Sequence, residues 1–111
     1  MNLKPTGLDH VAYRCKDARE TAEFYTKLLA MPLVAAVTDS HVPSTKEYCP
    51  HIHVFFGMAD GSCVAFFETP EEKPMGRDPN TPDWVQHLAL QVESREALLA
   101  AKDRLEQAGV K

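Results

Sequence analysis

Two histidines, His10 and His87, stand 77 positions apart near the starts of two similar runs, Gly7-Leu8-Asp9-His10-Val11-Ala12-Tyr13-Arg14-Cys15 and Trp84-Val85-Gln86-His87-Leu88-Ala89-Leu90-Gln91-Val92. A carboxylate, Glu68, closes a third apolar run between them. Two imidazoles and a carboxylate make a ligand set for Fe(II), Mn(II), Co(II), Ni(II) or Zn(II), with coordination positions left open for a substrate. Ligands borne on strands have no fixed spacing, so the argument rests on the duplication. For either histidine alone, a hydrogen-bonded place at a strand edge is the commoner role, and for a strand Glu a solvated face is commoner still.

The elements that must position these groups repeat with them. Alternation puts Leu8, His10, Ala12 and Arg14 on one face of a first strand and Asp9, Val11, Tyr13 and Cys15 on the other. Asp17 is an N-cap with Glu20 three residues on. Ala18, Ala22, Tyr25, Leu28 and Leu29 then form the apolar stripe of a helix that ends at Pro32 and packs on Val11 and Tyr13. Leu33 to Thr38 reads as a second strand, and Asp39 to Pro50 as a polar connecting loop. In the second copy Leu88, Leu90 and Val92 form the apolar face of a strand. Ser94 caps a helix with Leu98, Ala101, Leu105 and Ala108 on one stripe and Gly109 as its stop.

Between the copies, His51 to Met58 and Ser62 to Glu68 flank an Asp60-Gly61 pair, a strong hairpin signal. A two-residue turn pairs Phe55 with Phe66 and His53 with Glu68. It sends Ile52, Val54, Phe56, Met58, Cys63, Ala65 and Phe67 to the core, and His51, His53, Phe55, Gly57, Val64, Phe66 and Glu68 to a cavity face. His53 is then a candidate acid-base or supporting residue beside Glu68, and Cys63 an inert apolar filler. A register slip of one residue would abolish the His53–Glu68 pair.

The order so far is βαβββ followed by βα, an α+β chain whose second module is incomplete. Residues 1–69 form the first module, the proline-bearing stretch 70–83 the connector, and 84–111 the start of the second, all within one structural domain. The missing strands of the second copy are expected from a longer chain or from another molecule. A net charge of -4 offers no basic stripe for nucleic acid, and no apolar run reaches membrane-spanning length. There is no secretory h-region, and three cysteines without Cys-x-x-Cys spacing predict neither a disulfide framework nor a structural zinc site. A cytoplasmic protein is expected.

With Leu8-Asp9-His10-Val11-Ala12, the helix Glu23-Phe24-Tyr25-Thr26-Lys27-Leu28-Leu29, the strand end Phe66-Phe67-Glu68 and Gln86-His87-Leu88-Ala89-Leu90-Gln91-Val92, the sequence resembles the vicinal oxygen chelate superfamily of glyoxalases, bleomycin-resistance proteins and extradiol dioxygenases. The resemblance implies paired βαβββ modules curled around a divalent metal, commonly in homodimers. It implies a small-molecule substrate that chelates the metal through adjacent oxygens, and it matches His10, Glu68 and His87 to ligand positions. The fourth ligand of the family, a Glu in the last strand, has no counterpart here. Glu68 favours a glyoxalase (lactoylglutathione lyase)-like enzyme in which a carboxylate moves a proton. Ring cleavage of a catechol by an extradiol dioxygenase, with His53 as the acid-base group, is the alternative. A metal-free bleomycin-resistance-type binder is the third reading.

Overall fold

The computed structural model describes residues 3–111, so the first two residues of the predicted first module lie outside the described residues. The chain divides into two compact units, residues 1–74 and 75–111, with the boundary inside the predicted connector.

The first unit is a βαβββ module. Strand β1 (His10–Arg14) leads into helix α1 (Ala18–Glu23), which widens to π-helical geometry over Phe24–Leu28. Three strands follow: β2 (Leu33–His41), β3 (Tyr48–Gly57) and β4 (Cys63–Glu68). They form one sheet in the order β1-β4-β3-β2, with β1 and β4 parallel and the other pairs antiparallel. The Asp17 carboxylate caps α1 as expected, accepting from the Arg19 and Glu20 amides. Within the widened turn the Thr26 hydroxyl donates to the Ala22 carbonyl at 2.6 Å, a side-chain competitor that loosens helical geometry.

The core lies between α1 and one sheet face. Cys15, Ala18, Met31, Val54, Phe56, Val64 and Phe66 are buried there, with Val11, Ala22, Tyr25 and Leu29 packed against them. Phe66 therefore belongs to the core and not to the predicted cavity. The register gives the reason: β3 and β4 pair Gly57 with Cys63, Phe55 with Ala65, His53 with Phe67 and Ile52 with Glu68, one residue away from expectation. The hairpin loop has three residues, 59–61, closed by Gly61 N–H donating to Met58 O and by Met58 N–H donating to Ser62 O. Asp60 decides between the two loops. Its carboxylate accepts from the Ser62 amide and hydroxyl, which holds Ser62 opposite Met58, and Gly61 takes the left-handed φ of +89° that closes such a loop. Gly61→Ala is expected to cost about 1 kcal/mol, read as a lower urea midpoint, because a Cβ is strained in that conformation.

The predicted loop 39–50 is also shorter than expected. Both strands run into it, pairing Asp39 with His51 and His41 with Tyr48, and a register shift between Asp39 and His41 accommodates the chain around Pro50. Proline lacks the donor that a regular ladder needs, and an irregularity tolerates it.

In the second unit, α2 (Arg95–Gln107) is the regular element, capped by Ser94 Oγ accepting from the Ala97 amide at 3.0 Å. It ends in a Schellman arrangement with Gly109 at φ +84°, where the Val110 N–H reaches Leu105 O and the Gly109 N–H reaches Glu106 O. The predicted strand 84–92 is not a strand. Its apolar alternation is present, but a strand is defined by its ladder, and this unit has no second strand to pair with among the described residues. No helix among the described residues is long and apolar enough to cross a membrane.

Candidate functional site

The ladders fix which side chains share the sheet face turned away from α1. β1 contributes His10, Ala12 and Arg14; β4 contributes Cys63, Ala65 and Phe67; β3 contributes His51, His53 and Phe55. His10 opens β1, opposite Cys63. Its Nδ1 is held by the neighbouring Asp9 carboxylate at 2.7 Å, which leaves Nε2 as the open nitrogen. The His10 ring meets Phe55 edge-on with centroids 5.4 Å apart, and His53 at 6.5 Å.

His53 is wedged between two phenylalanines. It stacks on Phe67 at 3.6 Å and 15°, and lies 4.2 Å from Phe55. Its Nε2 is buried and has no hydrogen-bond partner among the described residues. Burial first, then the nearby His10 and His51 imidazoles, pushes the His53 pKa below the ordinary histidine value.

Glu68 lies elsewhere. Its Oε1 accepts from the Ala18 amide at 2.6 Å, so the carboxylate faces the helix side of the sheet and satisfies an orphan donor at the start of α1. Because β1 and β4 are parallel and His10 pairs with Cys63, Glu68 stands beyond the Arg14–Phe67 pair, at the other end of the strands from His10. The predicted His53–Glu68 pair is not formed; Phe67 takes that place. Glu68→Ala is expected to remove about 1 kcal/mol of stability through the lost cap, while leaving the affinity for Zn(II) unchanged by calorimetry.

His87 belongs to the second unit, where its Nδ1 lies 3.1 Å from Val85 O, again leaving Nε2 open. The structure thus brings His10 and His53 together, and among the described residues no three His, Cys, Asp or Glu side chains form a ready metal cluster. Asp9, Cys63 and Phe67 are the site neighbours that sequence reasoning passed over. The Asp9-His10 adjacency was the available signal for the first. For the other two it was Ser62 following Asp60-Gly61, which favours the longer loop.

A divalent metal fits the residues that are present. Neutral imidazoles oriented through Nδ1, with Nε2 open, are the usual ligand form, and a carboxylate partner such as Asp9 raises the basicity of a ligating ring. An unpartnered buried nitrogen on the same face as His10 calls for an ion, a water or a ligand atom. A separate open depression of about 500 Å³, lined by Asp39, Ser40 and His51 among others, lies toward the opposite end of the β2–β3 ladder. There the Asp39 carboxyl is held below its usual range by the His41 and Ser40 amides.

Comparison with known proteins agrees with this architecture. A structure of the fosfomycin resistance protein FosX from Listeria monocytogenes, complexed with Mn(II) and sulfate, superposes with a TM-score of 0.64 at 20% identity, covering 97% of this chain and 75% of that one. A mutant of the same protein, complexed with Mn(II) and a dihydroxypropylphosphonic acid, gives 0.62 at 21% identity, covering 96% and 74%. No curated protein matches the chain. The model of one family matches residues 7–111, nearly the whole sequence, and the βαβββ module with its histidine-bearing face is consistent with it: the chain belongs to the Glyoxalase/Bleomycin resistance protein/Dioxygenase superfamily.

Proposed function

We propose that the chain is a divalent-metal-dependent enzyme of this superfamily, acting on a small molecule that offers two adjacent oxygens to the metal. His10 would hold the ion through Nε2, and His87 stays a proposed ligand on the sequence resemblance. The carrying observation is His10 itself: its Nδ1 is fixed by Asp9, and its ring stands against the Phe55 wall on the open sheet face. When bound, the metal supplies Lewis-acid polarisation of the chelating oxygens. Phe55 and Phe67, on either side of the His53 ring, would orient the substrate body and keep water from it.

Among the family's activities, this wall favours ring cleavage of a catechol. The glyoxalase-like lyase reading draws on Glu68, whose Oε1 accepts from the Ala18 amide on the helix side of the sheet, and has less support from this face. A phosphonate of the kind bound to FosX would call for cations, and on this face Arg14 donates one guanidinium N–H to the Lys73 carbonyl at 2.6 Å. The free thiols of Cys15, Cys49 and Cys63 suit a reducing cytoplasm, and a homodimer is the proposed assembly.

Oxygen consumption tests the reading. Protein loaded with Fe(II) or Mn(II) is expected to take up oxygen on addition of a catechol and to form a yellow ring-opened product. Loss of a hemithioacetal without oxygen uptake would return the assignment to a lyase. Failure to retain any divalent metal would favour a metal-free binder.

A further inference from the structure

We infer that His53 is itself a metal ligand, sharing one divalent ion with His10. This rests on the reading that His10 binds metal. The first support is the unpartnered Nε2. An imidazole nitrogen shut away from water with no partner is costly, and the rings of Phe67 and Phe55 on either side of His53 keep it from turning out to solvent.

Spacing is the second support. Two imidazoles on one ion, each at a metal–nitrogen distance of about 2.0–2.1 Å, have ring centres roughly 5–6 Å apart. The His10 and His53 centres lie 6.5 Å apart, close to that range, and the His10 ring is partly exposed. The third is donor chemistry. His10 has its Nδ1 committed to Asp9, His51 has its Nδ1 committed to the Cys49 carbonyl, and Glu68 is committed to α1. On this face His53 is the histidine beside His10 whose buried ring nitrogen lacks a partner among the described residues, and β3 thereby adds a ligand to that of β1.

Zn(II) and Co(II) titrations of the 111-residue chain test this, followed by calorimetry and by the ¹⁵N shifts of the imidazoles. His53→Phe keeps an aromatic ring between Phe55 and Phe67, and is expected to weaken Zn(II) binding by more than about 100-fold, beyond the loss of a group that only orients a ligand, and to change the visible Co(II) spectrum. In the unsubstituted chain, the His53 Nε2 resonance is expected to move on Zn(II) addition together with that of His10. Unchanged affinity in His53→Phe with a stationary His53 resonance would overturn the ligand role alone, provided His10→Ala still abolishes binding. Retained affinity in His10→Ala, or no binding by the parent chain, would remove the underlying metal reading as well. Should His53→Phe fail to fold, the resonance shift in the parent chain decides.

Discussion

His10→Ala is expected to strip the chain of its divalent metal and to abolish turnover, with Zn(II) affinity falling by more than about 100-fold. The magnitude follows from the hierarchy around a ligating imidazole: removing a group that merely orients such a ring costs about 10- to 100-fold, and removing the ring takes the ligand itself. Asp9→Ala supplies the graded comparison. It leaves Nε2 in place but frees Nδ1 from the 2.7 Å contact that fixes ring orientation and tautomer, so an intermediate loss of about 10-fold is expected. Metal content by elemental analysis, read beside the thermal midpoint, separates a lost ligand from a lost fold. His10 is exposed on its sheet face and contributes little to packing, so the midpoint of the metal-free protein should barely move.

Phe56→Ala is expected to have the largest effect on stability, about 3–5 kcal/mol. Its side chain is completely buried, stacked on Tyr25 at 5.2 Å and 21° and packed near Phe66, so truncation leaves a cavity at the seam between α1 and the sheet. For a unit of this size each kcal/mol shifts the thermal midpoint by about 4–8 °C, so a loss of more than ~10 °C should be seen by circular dichroism. Phe55→Ala is the informative neighbour. One position along the strand it points to the other face, touches His10 and His53, and is only half-buried. Its removal should leave most of the stability intact while weakening substrate binding. A large midpoint loss in Phe55→Ala with little in Phe56→Ala would contradict the assigned faces.

That division of faces was legible in β1 and β3 and illegible in β4. In β1 and β3 strict alternation separates His10 from Val11, and His53 from Val54, whatever the strands pair with. In β4 nearly every residue from Cys63 to Phe67 is apolar, so composition cannot say which alternate set meets the helix, and the choice fell to the turn. Asp60-Gly61 fits both a two-residue and a three-residue loop; the Asp60 link to Ser62 selects the second, and Glu68 goes to α1 as a result. The helix caps Asp17, Ser94 and Gly109 were readable because each acts within a few residues of itself. Strand ends in β2 and β3 were not, since an edge strand carries polar residues as readily as a loop does. The run 84–92 carries a strand's pattern without a ladder, because alternation encodes a face and pairing requires a neighbour.

The three-residue loop has one more consequence. Because side chains along β4 alternate, the length of the link at 59–61 acts as a parity setting for everything downstream of it. Shortening it by one residue would turn Cys63, Ala65 and Phe67 toward α1 and present Glu68 across from His53, with no substitution anywhere in the strand. A one-residue deletion is thus expected to replace the Cys63, Ala65 and Phe67 lining with Val64, Phe66 and Glu68.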